Sequence, residues 1–225
     1  MKRFFLTVGL FCSVCNFWAQ TLKHPVIWIT EEERPALIDK INNDDWANDI
    51  YVQLRHNVDS VRDNYFSNPD SLYKAIPAFG GDMPKHNALL TNIAESSMLY
   101  YITKDESYAR YSADVLWYYL SKISKLTPQT THVMGDSFYD PRTCYNMLAI
   151  TYDFIYNYLN SGKTEIYDVA SGNYIKYDDS VSQKAFANIV GNILQEYGRP
   201  DKHGHIISNL SLIHISEPTR LLSIS

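Results

Sequence analysis

Cysteine is scarce in this sequence, which excludes a fold that depends on disulfide bonds. Only three cysteines occur in 225 residues, and two of them, Cys12 and Cys15, lie in the first 20 residues. If those residues form a leader that is removed, Cys144 remains alone, and a single cysteine cannot form an internal disulfide bond. The stability of the fold must then come from a packed hydrophobic core, for which the chain is long enough.

A hydrophobic run long enough to cross a bilayer is also lacking. The apolar run at the N-terminus extends from about residue 4 to residue 14, follows Lys2 and Arg3, and is followed by a small residue at Ala19. This pattern is typical of a secretory signal peptide, and the run is too short for a transmembrane helix. We therefore predict a signal peptide over residues 1–20 and a periplasmic or secreted protein without a membrane span.

Positive charge is outnumbered by negative charge, which argues against a nucleic-acid partner. The chain has 20 Lys and Arg against 25 Asp and Glu, a net charge of -5, and no segment concentrates the basic residues that phosphate binding requires. The hydrophobic fraction of 45% is that of an ordinary globular protein, with an unusual 18 tyrosines. An exported, acidic, tyrosine-rich protein fits carbohydrate binding better than nucleic-acid or anionic-membrane binding.

The C-terminal tail does not read as part of the fold. Residues 210–220 have the sequence LSLIHISEPTR, which resembles an in-frame translation of the transposon-end adapter used in sequencing libraries. The alternative is a natural β-strand followed by a proline turn. We expect the natural gene to be cut at Asn209, so that residues 210–225 are an artefact and the fold occupies residues 21–209.

Helical periodicity dominates the remaining segment. Thr30 and Glu33 form a capping box for a short helix, and the next helix carries an apolar row at three- and four-residue steps, which comprises Trp46, Ile50, Leu54, Val58 and Val61. Further helices are predicted over 89–103, 106–125, 141–160 and 180–197, with a β-hairpin over 165–177 and long loops over 67–87 and 127–140. The sequence thus predicts an all-α fold, a partial (α/α) toroid of helical hairpins with a small β-hairpin insertion. An α-solenoid is the alternative.

Two predicted loops carry residues suited to chemistry on an acidic sugar. His86 and Asn87 lie just ahead of a predicted helix and offer a titratable imidazole and an amide; alternatively, Asn87 caps that helix and His86 is solvated or packed. Arg142 could clamp a carboxylate, and Tyr139 could stack on a sugar ring; equally, Arg142 could pair with a neighbouring aspartate as a structural tie.

The sequence supports neither a metal site nor a cysteine nucleophile. His203 and His205 form a His-x-His pair, which alone is a weak signal for a metal site, and we predict no metal and no cofactor. Cys144 falls in a predicted helix and is interpreted as a buried small hydrophobic residue. Motifs for paired glycosidase carboxylates, phosphate loops, nucleophile elbows or zinc proteases do not occur.

Several segments together resemble one known family. They are HPVIWITEEERPALIDKI, DDWANDIY, NIAESSMLYYITKDESYARYSADVLWYYL and RTCYNMLAITYDFIYNYL, and their order is similar to that in the N-terminal toroid of heparinase II/III-like polysaccharide lyases, a superfamily that includes alginate lyases. The resemblance implies an incomplete toroid followed by a β-sandwich, and cleavage of acidic polysaccharides or oligosaccharides by β-elimination.

The resemblance also implies roles for individual residues. In this family an Asn or Gln binds the uronate carboxylate, and a Tyr or His removes the C5 proton and protonates the leaving oxygen. Asn209 lies about where the family places this asparagine and is the expected catalytic residue. His86, Asn87, Tyr139, Arg142 and His205 are the expected substrate-binding residues. The fragment itself is expected to be inactive. The alternatives are a glycoside hydrolase with an α/α toroid and a noncatalytic glycan-binding α-solenoid.

Overall fold

The fold of the described residues is helical with one small antiparallel sheet. A computed structural model describes residues 23–127 and 144–197. In chain order the helices are α1 (Arg34–Asn43), α2 (Asp45–Ser67), α3 (Pro69–Ala75), α4 (Met83–Thr103), α5 (Glu106–Ile123), α6 (Asn146–Leu159) and α7 (Asp179–Tyr197); strands β1 (Glu165–Asp168) and β2 (Asn173–Lys176) lie between the last two. This confirms the all-α class with a small β-hairpin.

The first helix begins as the capping residues predict. The Glu33 carboxylate accepts hydrogen bonds from the backbone N–H of Thr30 at 2.8 Å and from its hydroxyl at 2.9 Å. A short 3₁₀ turn, Glu31–Glu33, precedes α1. Pro35 therefore falls in the first turn of α1, where its missing N–H costs no hydrogen bond.

The buried face of α2 includes the second half of the predicted apolar row, Leu54, Val58 and Val61, but not its first half. Trp46 and Ile50 are 61% and 60% exposed, whereas Ala47, Val58 and Tyr65 are buried. Successive four-residue steps advance about 40° around a helix with 3.6 residues per turn, so the row from Trp46 to Val58 turns by about 120°, from the exposed side of α2 to the buried side. The row that alternates steps of three and four from Ala47 stays on one face and forms the contact.

The predicted loop over 67–87 was too long. Two of its three proline residues lie at the start of helices: Pro69 in the first turn of α3, where the Asn68 side chain accepts from Ser71 N–H, and Pro84 in the first turn of α4. Asp82 caps α4 from a left-handed conformation with φ 46°. Proline disrupts the interior of a helix, but it is favoured in the first helical turn.

The α4–α5 hairpin is confirmed and forms the centre of the fold. Lys104, in a left-handed conformation, ends α4, and the Asp105 side chain accepts a hydrogen bond from Ser107 N–H at 2.9 Å to begin α5. Helix α5 is buried along most of its length and packs against α4, α6, α7 and β1.

Within the described part of the chain, no helix is long and apolar enough to cross a membrane.

The β-hairpin is part of the core rather than a surface decoration. Ile166 pairs with Ile175 across the two strands and is fully buried. The backbone N–H of Tyr167 donates to a carboxylate oxygen of Asp114 in α5 at 2.7 Å, and Trp117 Nε1 donates to Asp168 at 3.2 Å. Two side chains of α5 thus hold the first strand in place.

A buried carboxylate on α6 holds the N-terminal arm, residues 23–30. One oxygen of Asp153 lies 2.6 Å from His24 Nδ1, and the other accepts from the backbone N–H groups of Val26 at 2.8 Å and Ile27 at 2.9 Å. The His24 ring also packs on Tyr156, with ring centroids 3.9 Å apart. Three polar groups of the arm therefore share one carboxylate that is 126 or more residues away.

Replacing Asp153 with alanine should release this arm. Two backbone amides lose their acceptor, so we expect the free energy of unfolding to fall by about 2 kcal/mol. Amide hydrogen exchange at Val26 and Ile27 should become much faster. Asp153→Asn is the matched control, because its oxygen can still accept from both amides while its NH₂ group donates to His24. Slow exchange at these amides in the alanine variant would show that another contact holds the arm.

Candidate functional site

His86 is placed in the core at the start of α4. It is fully buried, its Nδ1 lies 2.8 Å from the Tyr119 hydroxyl, and its Nε2 lies 3.4 Å from the carbonyl oxygen of Ala78. Phe79 packs edge-on against the imidazole. Burial raises the pKa of Tyr119 well above its ordinary value, so its hydroxyl stays protonated. Contact between His86 and a glycan requires movement of these neighbours, and its binding role stays a prediction.

Asn87 is half-buried and contacts Cys144, which lies two residues before α6. The thiol of Cys144 donates to Asn87 Oδ1 at 2.6 Å, which joins two segments that are 57 residues apart in sequence. The side-chain NH₂ group of Asn87 carries the donors that suit an anionic oxygen, and its binding role stays a prediction. Cys144 is buried, as predicted.

The other predicted site residues lie outside the described residues. They are Tyr139, Arg142, His205 and Asn209. The thiol contact brings Asn87 of the first predicted loop next to Cys144. The structure thus joins His86, Asn87 and Cys144, and the roles of the remaining four stay predictions.

The charge near Asn87 is already neutralised. Lys85 Nζ lies 2.6 Å from a carboxylate oxygen of Asp82, and the hydrogen bond from Lys85 lowers the pKa of that carboxyl below its ordinary value. The Lys85 ammonium group therefore has a partner within the same loop. Among residues 23–127 and 144–197, no group of three metal-binding side chains is close enough to hold an ion.

Two buried carboxylates were missed in the sequence. Asp153 holds the N-terminal arm, and Asp114 is fully buried, where it accepts from the Tyr65 hydroxyl at 2.7 Å and from Tyr167 N–H. Burial raises the pKa of the Asp114 carboxyl to about 6. Each is the one acidic residue within a long apolar stretch, ADVLWYYL or ITYDFIYNYL. Such isolation indicates a buried carboxylate with partners elsewhere.

Comparison with known proteins finds one extended similarity. The chain is 40% identical over 205 residues to a protein of Formosa agariphila named "Endo-acting ulvan lyase". The match takes in 86% of this chain but 25% of that protein, so the chain spans about a quarter of the length of its relative. No family model matches the chain, and no solved structure matches it.

Proposed function

We propose that this chain is the N-terminal part of an exported polysaccharide lyase that cleaves acidic, uronate-containing glycans by β-elimination. The observation that carries the proposal is the 40% identity to the ulvan lyase over 86% of this chain. Ulvan is therefore the first substrate to test. This similarity does not support the two alternatives, which are a glycoside hydrolase and a noncatalytic glycan-binding solenoid.

We further propose that the helices form part of an (α/α) toroid of the heparinase II/III-like kind. Support comes from the antiparallel α4–α5 hairpin and from the packing of α6 and α7 on α5. In such a ring each helix packs against helices that are near it in the sequence. Residues 1–20 are the proposed signal peptide, and residues 210–225 are proposed to be foreign to the natural protein.

The proposed chemistry needs charge stabilisation followed by proton transfer. Asn209 would bind the uronate carboxylate and stabilise the charge that develops when the C5 proton leaves. A tyrosine or histidine elsewhere in the protein would remove that proton and protonate the departing oxygen. Asn87, whose NH₂ group can donate hydrogen bonds, would hold the same or a neighbouring sugar together with Arg142 and Tyr139, with His86 and His205 beside them.

Activity is proposed to require the longer protein. The chain spans a quarter of the length of its relative, and the tyrosine or histidine that would transfer the proton is proposed to lie elsewhere in the protein. The 225-residue chain should therefore bind acidic glycan without turning it over.

The test is to incubate the full-length natural protein with ulvan and follow ultraviolet absorbance. β-Elimination creates a carbon–carbon double bond next to the carboxylate, so each cleavage should raise the absorbance. Parallel incubations use the 225-residue chain and a neutral β-glucan, and both should give no signal. New reducing ends without absorbance would indicate a hydrolase, and binding without products would indicate a noncatalytic protein. Either result would refute the lyase.

A further inference from the structure

A second surface of the molecule has the composition of a carbohydrate-binding site. A groove of about 990 Å³ opens between the end of α2, the start of α5, the end of α6 and the β-hairpin. Aromatic rings and two cations line it: Phe66, Tyr100, Tyr158, Tyr174, Arg110 and Lys163. None of them belongs to the predicted site at the start of α4.

Arg110 is held in this groove by rings rather than by an acid. Its guanidinium carbon lies 5.4 Å from the ring centre of Phe66 and 5.1 Å from that of Tyr174, and Nη2 donates to the Tyr174 hydroxyl at 2.7 Å. Cation–π contacts of this kind fix the direction of the guanidinium while leaving most of its donors available.

Arg110 differs from the other arginines of residues 23–127 and 144–197 in the partners of its guanidinium group. Arg55 and Arg62 form ion pairs with aspartates, and Arg34 donates to the carbonyl oxygens that end α4. Within the same ranges, no carboxylate lies within ion-pair distance of Arg110. Asp114, whose charge contributes to raising the pKa of Arg110, has its oxygens engaged by Tyr65 and Tyr167.

The remaining polar groups favour a sugar over a bare anion. Glu106 and Glu165 also line the groove and form no ion pair with any described lysine or arginine. Carboxylates repel a phosphate or sulfate ion, but they accept hydrogen bonds from hydroxyl groups. A ligand with one anionic group, several hydroxyls and an apolar ring face satisfies the cations, the carboxylates and the aromatic rings together.

We propose that this groove is an accessory binding site for an acidic saccharide unit, whose carboxylate or sulfate group pairs with Arg110 and Lys163 while its ring packs on Tyr174. The choice of an acidic saccharide rests on the proposed function, whereas the requirement for an anionic group and a flat face rests on the groove itself. The site would hold a polymer outside the catalytic cleft and needs no turnover.

Binding by the 225-residue chain tests this inference without reference to catalysis. Ulvan oligosaccharides are titrated into the chain by calorimetry. We expect Arg110→Gln to raise Kd about tenfold and Lys163→Gln about threefold. Arg55→Gln is the matched control, because it removes an arginine that does not line the groove, and Kd should stay within about twofold. Added salt should weaken the wild-type binding more than that of Arg110→Gln.

Competitors identify the ligand class. Neutral β-glucan oligosaccharides should bind at least about tenfold more weakly than ulvan oligosaccharides, and inorganic sulfate should compete poorly. Equal Kd values for Arg110→Gln and Arg55→Gln, tight binding of the neutral sugar, or full competition by sulfate would each overturn the proposal. Lys163, on an exposed turn, keeps the test valid if the Arg110 variant melts early. A lyase-negative full-length protein with groove-dependent binding would refute only the catalytic proposal.

Discussion

At about pH 5, replacing Asp114 with alanine should lower the free energy of unfolding by about 3 kcal/mol. Two donors, the Tyr65 hydroxyl and Tyr167 N–H, lose their acceptor inside the core, and a cavity replaces the carboxyl group. The Tyr65 hydroxyl has a second neighbour, the Tyr73 hydroxyl at 3.3 Å, but Tyr167 N–H would be left without a partner. Urea denaturation followed by circular dichroism measures the loss.

Asp114→Asn is the control that separates the shape of this side chain from its charge. The asparagine oxygen can accept from Tyr167 N–H, and its NH₂ group can donate to Tyr65, whose own proton then turns towards Tyr73. The loss at about pH 5 should therefore stay below about 1 kcal/mol. Equal destabilisation by alanine and asparagine would contradict the assigned hydrogen bonds.

The same pair of proteins should differ in their response to pH. Burial raises the pKa of the Asp114 carboxyl to about 6 from an ordinary value of 3.8, so the folded state binds this proton more tightly than the unfolded state. The stabilisation from that proton is complete below about pH 4 and is lost as the pH rises through about 6, a change of about 3 kcal/mol. Asp114→Asn does not titrate, so it should become more stable than the wild type above about pH 6. Parallel pH profiles would refute this.

Replacing Asn209 with alanine in the full-length protein should reduce kcat on ulvan by about 10²- to 10³-fold. The amide is proposed to stabilise charge that develops only as the C5 proton leaves, so the loss should fall on kcat more than on KM. Initial rates of ultraviolet absorbance over a range of ulvan concentrations separate the two constants.

Asn57→Ala provides the comparison for Asn209. This asparagine is exposed on α2, where its side chain accepts a hydrogen bond from Gln53, and its replacement should leave kcat unchanged. If Asn209→Ala retained full kcat while the wild type still produced unsaturated ends, the protein would be a lyase whose carboxylate is bound by another group. The assignment of Asn209 would then fail without affecting the reaction class.

Features set by neighbouring residues could be predicted from the sequence. The Thr30–Glu33 capping box, the two-residue connection at 104–105 and the hairpin around 171–173 each depend on fewer than about six residues, and all three are confirmed. Residue types in these short patterns have little choice of conformation.

Features set by distant partners could not be predicted in this way. The apolar row from Trp46 was assigned to the core because it is apolar, but which face of α2 is covered depends on where α4 lies. Asp114 and Asp153 were missed because their partners, Tyr65, Tyr167 and His24, are 49 to 129 residues away. The groove around Arg110 was missed for the same reason, since four separate elements meet there.

The attachment of the β-hairpin to α5 bears on the order in which the chain folds. Helices α4 and α5 are joined by two residues, so their contacts can form early at little cost in loop-closure entropy. Asp114 must wait for Tyr167, which follows 53 residues later, before its buried carboxyl group is fully satisfied. Until then the Asp114 carboxyl group has only the Tyr65 hydroxyl as a donor. We therefore expect the hairpin to dock late in folding, and Arg110, one turn before Asp114 on the same helix, to gain its Tyr174 contact in the same step.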